Sequence, residues 1–164
     1  MTDQDKAPVG ADGSLERLKH LGIVLPVLQP PVASYVDAVL DNGLLYLSGK
    51  GPRKADGSRR SGKVGADVSI AQAREDAYQT GLNLLAAINN ATGSLERVER
   101  VVKVFGMVNA VAEFDAHPTV IDAFSDLMTD VFGERGRHAR SAVGMGSLPN
   151  NMTIEIEMIV RIGA

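Results

Sequence analysis

Apolar residues in the segment 69–92 fall at Ile70, Ala73, Ala77, Tyr78, Leu82, Leu85 and Ile88, the spacing of one buried stripe on an α-helix. Ser69 and Gln72 form a capping-box pattern at its start, and Gly93 is placed to end it. Gly81 inside this helix costs about 1 kcal/mol relative to alanine, which points to a close backbone approach there. A second stripe of Val120, Ile121, Phe124, Leu127, Met128 and Val131 begins near Pro118 and stops at Gly133, with His117 read as its cap. "SLERLKHLGIVLP" (14–26) reads as a short helix ended near Gly22.

Between and after the helices the period changes to two. "PPVASYVDAVLDNGLLYLSG" (30–49) predicts two strands around a tight Asp41-Asn42-Gly43 turn. "ERVVKVFGMVNA" (99–110) is β-branched and apolar on both faces, with Val101, Phe105 and Met107 on one and Val102, Val104 and Val108 on the other. "ARSAVGMG" (139–146) and "MTIEIEMIVRI" (152–162) close the chain, linked by "SLPNN". The order β-β-α-β-α-β-β predicts an α+β fold with two helices on one sheet face. The doubly apolar strand then calls for a cover on the other face, and a subunit interface is the economical one.

Composition narrows the chemistry. The chain has 164 residues, enough for one domain with a hydrophobic core, and residues 1–14 read as a flexible tail before a single domain at 15–164. A net charge of −3 offers no general attraction to nucleic acid or anionic membrane. No cysteine is present, which excludes disulfides, thiolate metal sites and cysteine nucleophiles. The polar start lacks the apolar stretch of a signal peptide, and no run approaches the roughly 20 apolar residues of a membrane span, so a cytoplasmic protein is expected.

Two motifs tempt and fail. "GSRRSGKV" (57–64) nearly matches the phosphate-cradling G-x-x-x-x-G-K-[ST], but Val64 replaces the hydroxyl and no strand leads straight into a helix. With Lys50, Arg53 and Lys54 the segment reads as a solvated basic loop, and no aromatics interleave with it to stack bases. "GMGSLP" (144–149) has Pro149 where a dinucleotide fingerprint needs glycine. The histidines His20, His117 and His138 are scattered, without metal-ligand spacing.

The informative residues are Arg140 and two glutamates. In 152–162, Ile154, Ile156, Met158, Val160 and Ile162 alternate with Glu155 and Glu157, so the glutamates face away from the helices. The short turn sets Arg140 on the strand just before, with His138 two residues earlier on the same side. Two readings stand side by side. One is an Arg–Glu ion pair at a subunit interface. The other is a site at that boundary, where Arg140 grips an anion by two parallel hydrogen bonds and a glutamate handles protons.

The combination "SYVDAV…NGLLYLSGKGP", "ARSAVGMGSLP" and "IEIEMIV" resembles the Rid family of reactive intermediate deaminases, also called YjgF-like or L-PSP endoribonucleases, from about residue 15 onward. "LERLKHLGIVLP" and "FGERGRHARSAVG" resemble a branch distinct from the best-understood deaminases. The resemblance implies a chorismate-mutase-like fold, two helices on one face of a mixed sheet, assembled as a homotrimer with clefts between subunits. It implies that Arg140 binds a substrate carboxylate and Glu155 activates water, while Tyr35, Ser48, Gly49, His138, Ser141 and Ala142 line the substrate. The implied reaction is hydrolysis of 2-imino acids, tautomers of enamines, to 2-oxo acids and ammonia, with no metal or organic cofactor. Two departures accompany it. Ala142 stands where the deaminases often have cysteine, and a second-helix asparagine is replaced, with Ile121 nearest. The rival readings are a trimeric protein that only binds a small carboxylate, and a ribonuclease that would depend on the 50–63 basic loop.

Overall fold

The computed structural model describes residues 13–30 and 34–163. Most of the tail assigned to residues 1–14 lies outside the described residues, but Ser14 is no part of a tail. It is fully buried, opens helix α1 (Ser14–His20) and accepts a 3.1 Å hydrogen bond from Arg135. The order then runs β1 (Ala38–Asp41), β2 (Leu44–Lys50), α2 (Ile70–Thr92), β3 (Val98–Asn109), α3 (His117–Phe132), β4 (Ala139–Met145) and β5 (Ile154–Ile162). This is an α+β fold with three helices rather than two, because α1 packs on α3 as an added short layer.

Local chemistry sets the elements. Asn42 and Gly43 both take positive φ (48° and 77°) to join β1 to β2. The Ser69 hydroxyl accepts from the Gln72 amide at 3.2 Å while the Gln72 side chain accepts from the Ser69 amide at 3.0 Å, and Gly93 ends α2 in the left-handed region (φ 81°). The face α2 buries is Ala73, Ala77, Leu84, Leu85 and Ile88. Tyr78 stays exposed, since Ala77 takes the core position and its neighbour is rotated about 100° away from it, and Ile70 stays exposed as the first residue of the helix. A methyl group at Gly81 would stand 2.7 Å from Leu127 Cδ2, so the close approach is that of α2 to α3. All six apolar residues expected of α3 are buried. His117 provides no cap hydrogen bond and instead packs edge-on to Phe114, ring centroids 5.0 Å apart.

The sheet order is β1-β2-β5-β3-β4, antiparallel except for the parallel β3–β4 pair. Because α3 is a crossover, β4 returns parallel to β3 on its outer side, and β3 lies between β4 and β5. The short turn therefore does not make β4 and β5 neighbours. A register shift between Val101 and Lys103 corrects the alternation read for β3: Val101 and Val104 are both fully buried in the core, while Val102 turns outward. β5 alternates as expected, with Ile154, Ile156, Met158, Val160 and Ile162 all buried and the glutamates on the opposite face.

The 51–68 segment is only partly a solvated loop. Val64 is fully buried and bridged to Ala110 and Val68. Arg60 donates to the nearly buried Asp76 (3.1 Å), whose other oxygen accepts from Thr153 (2.7 Å). Lys63 donates to the Gly146 carbonyl (2.5 Å), leaving Arg53, Lys54 and Arg59 exposed. Among the described residues no helix is long and apolar enough to cross a membrane.

α3 is seated on β3 at Gly106, where an added Cβ would lie 2.7–2.9 Å from three carbons of Ile121. Gly106→Ala is expected to lower unfolding free energy by about 1–3 kcal/mol through overpacking. Gly106→Ala/Ile121→Val should lose less than the two single variants together. Urea denaturation of the three variants checks this, and an unchanged midpoint in Gly106→Ala would remove the packing role.

Candidate functional site

Parallel pairing sets Arg140 level with Val104, so its side chain shares the helix-covered side of the sheet and reaches α3. Nη1 donates to Asp122 Oδ1 (2.9 Å) and to Ser125 Oγ (3.0 Å), while Nη2 only approaches the Pro118 carbonyl at 3.5 Å. The Arg140 side chain is 21% exposed, so the ion pair with Asp122 is partly screened from water. Asp122 and Ser125 are three residues apart, hence on one flank of α3. Ile121, read as nearest to the replaced asparagine, does not reach Arg140. Ile121 is fully buried on Gly106, and Asp122 is the residue that meets the arginine.

His138 extends this group and is half-buried, no surface histidine. Its Nδ1 lies 2.7 Å from the Gly136 carbonyl and its Nε2 lies 3.1 Å from Ser125 Oγ. A carbonyl can only accept, so Nδ1 carries the proton, Ser125 donates to Nε2, and a Ser125 lone pair is left for Arg140. Burial first, and the Arg140 charge in addition, hold His138 below its ordinary 6.5 despite the bond to Gly136. Ala142, level with Gly106, packs on the core on this same side. Ser141 points to the other face and accepts from Lys103 Nζ at 3.1 Å.

A second group forms on β2 and β5. Glu155 lies level with Met107 on the helix-free face, its carboxylate directly over Gly49, where a Cβ would collide with it. Burial, and then the like charge of Glu157, push the Glu155 carboxyl above its ordinary 4.5. The Ser48 hydroxyl donates to the Val36 carbonyl (2.7 Å) and its amide to that of Asp37 (2.9 Å), while Lys50 pairs with Asp37. These bonds hold the stretch carrying Tyr35 against β2. Tyr35, half-exposed, lines with Gly49 a cavity of about 420 Å³ whose rim carries Arg53, Lys54 and Arg59. Asn83, buried on α2, donates to the Gly51 and Arg53 carbonyls (both 2.9 Å) and anchors that rim.

The structure thus gathers Tyr35, Ser48, Gly49 and Glu155 in one place and His138, Arg140 and Ala142 in another. β5 and β3 separate β2 from β4, about 14 Å at ~4.8 Å per strand, and the carboxylate and guanidinium occupy opposite faces. Within one chain Arg140 pairs with Asp122 rather than with Glu155 or Glu157. Among the described residues no three or more His, Asp or Glu side chains converge as a metal site.

These features coincide with a known family, whose model, endoribonuclease L-PSP, matches residues 27–162. The chain belongs to the endoribonuclease L-PSP family, the Rid or YjgF family. It is 36% identical to protein TCP17 of Trypanosoma cruzi over 88% of this chain and 91% of that protein. The crystal structure of Agrobacterium tumefaciens Atu1372, a protein of unknown function, matches with a TM-score of 0.83 and 41% identity over 92% of each chain. A family member named 2-iminobutanoate/2-iminopropanoate deaminase, from Dermatophagoides farinae, is 27% identical over 85% of this chain and 94% of that protein.

Glu157→Gln removes a like charge, which favours the ionised form of Glu155 and must lower its pKa. NMR titration of the Glu155 carboxyl is expected to give a midpoint above 4.5 in the unmodified protein. In Glu157→Gln the midpoint should move down without fully returning, because burial is the larger cause. A midpoint at or below 4.5 in the unmodified protein would contradict the burial of this carboxyl.

Proposed function

We propose that this protein hydrolyses reactive 2-imino acids to 2-oxo acids and ammonia, in a site formed between copies of the chain. The observation that carries the reading is the Arg140 guanidinium, fixed by α3 through Nη1, with Nη2 making one long hydrogen bond to the Pro118 carbonyl (3.5 Å) and Nε making none among the described residues. The Nε–Nη2 edge suits a carboxylate, gripped by two parallel hydrogen bonds. Glu155, its carboxyl pushed above the ordinary 4.5 by burial, suits proton transfer. As water adds to the imine carbon, Glu155 takes the proton and returns it to nitrogen; collapse of the adduct breaks the C–N bond and releases ammonium and the 2-oxo acid. Membership of a family with a member named as such a deaminase supports this chemistry.

A shared site supplies what one chain does not, Arg140 from one copy facing Glu155, Gly49 and Tyr35 of another. The half-exposed Val39 and Tyr46 on the helix-free face support an assembly, which we take to be the homotrimer. One observation favours a second reading, a protein that only binds a small carboxylate: the separation of Arg140 from Glu155 within the chain leaves a clamp without a base.

The test is 2-oxo acid release from imines made in situ by an amino-acid oxidase, with semicarbazide trapping the residual imine. Arg140→Ala and Glu155→Ala are each expected to lose the acceleration, the latter by about 10²–10⁴-fold. Co-refolding the two inactive variants should restore part of the activity, since mixed assemblies regain some intact sites. No acceleration by the unmodified protein across varied side chains would leave the binding reading. Inactivity of both variants with no recovery on mixing would refute a shared site.

A further inference from the structure

Asp122 changes what the Arg140 clamp can hold. Its Oδ1 accepts from Arg140 Nη1 at 2.9 Å, and the pair together is neutral. Its Oδ2 has no partner among the described residues, and the side chain is 49% exposed. Ser125, oriented by His138, fixes Nη1 from the other side, so the guanidinium is not free to swing away from the carboxylate. The clamp therefore offers the Nε donor and the second Nη2 N–H, the first being turned to the Pro118 carbonyl, together with a free anionic acceptor on Asp122 Oδ2. A plain carboxylate that docks on Arg140 gains the donors but meets the Asp122 charge. A ligand with an N–H cation next to its carboxylate satisfies both.

We propose that Asp122 and Arg140 form a dipolar receptor that selects zwitterions carrying nitrogen α to a carboxylate over plain carboxylates. This rests on the deaminase reading of the same site and adds to it a specificity-determining residue: with Arg140 on the carboxylate of the 2-iminium acid, Asp122 takes the iminium N–H. Hydrolysis, R–C(=NH2⁺)–COO⁻ plus water to R–CO–COO⁻ plus NH4⁺, removes the group that Asp122 holds. The 2-oxo acid is then left facing a like charge, which drives product release.

The full-length protein is titrated calorimetrically with 2-aminobutanoate, 2-oxobutanoate and butanoate, which share one carbon skeleton. The unmodified protein is expected to bind the amino acid best. Asp122→Asn keeps the shape and removes the charge; it should weaken the amino acid and tighten the 2-oxo acid, each roughly tenfold, the scale of one charge contact at a partly exposed site. In turnover, 2-oxo acid inhibition should strengthen correspondingly. Asp122→Ala serves as a second variant, with circular dichroism confirming that both fold. Unchanged selectivity in both variants would overturn the receptor, as would equal affinity of the unmodified protein for all three ligands or no measurable binding of the amino acid. Loss of all binding in Arg140→Ala alongside unchanged selectivity in Asp122→Asn would spare the carboxylate clamp and sink only the receptor. Binding indifferent to Arg140→Ala would instead refute the deaminase reading itself.

Discussion

An arginine side chain with four-fifths of its surface withdrawn from water needs its charge matched and its donors satisfied. Meeting that demand for Arg140 organises one end of the molecule. The partners come from α3, and α3 can supply them only because it lies close on the sheet. Gly106 makes room for Ile121, and Ile121 in its seat turns the next residue, Asp122, toward the edge strand. A missing side chain in β3 and a charge balance on β4 are thus two ends of one packing solution.

The crossover through α3 has a second effect. A β-α-β connection returns its strand parallel and on the far side, so β4 is carried away from β5 although only a short turn joins them. Arg140 goes to the helix-covered side with β4, and Glu155 stays on the open side with β2 and Gly49. Topology, rather than distance along the chain, divides the ionisable groups into two sets with different surroundings. In one set a histidine is held below its ordinary value by burial, and in the other a carboxyl is made harder to ionise by burial and a like neighbour.

Periodicity was a sound guide to the elements and a poor one to their neighbours. The capping box, the left-handed glycine after α2 and the alternation of β5 are each written in adjacent residues, and each appears as read. The order of strands depends on where a crossover lands, which no local pattern encodes. The shift between Val101 and Lys103 likewise arises from pairing with β5 and leaves no mark in a run of valines. Arg140 and Glu155 were conspicuous as charges within apolar strands. Asp122 and Ser125 were not, because an aspartate and a serine beside an apolar stripe look like the wet flank of any amphipathic helix. Only the helix seat at Gly106 shows that this flank faces a cation.

Asn83 carries a different consequence. Its amide ties the Gly51 and Arg53 carbonyls to α2, so the rim of the cavity beside Tyr35 is held by main-chain oxygens and one buried side chain. The cations on that rim contribute nothing to its shape. Frame and lettering are separate there: Arg53, Lys54 and Arg59 can be exchanged for other side chains while the backbone beneath keeps its course. A lineage carrying this fold can rewrite the approach to its cavity without renegotiating the fold itself.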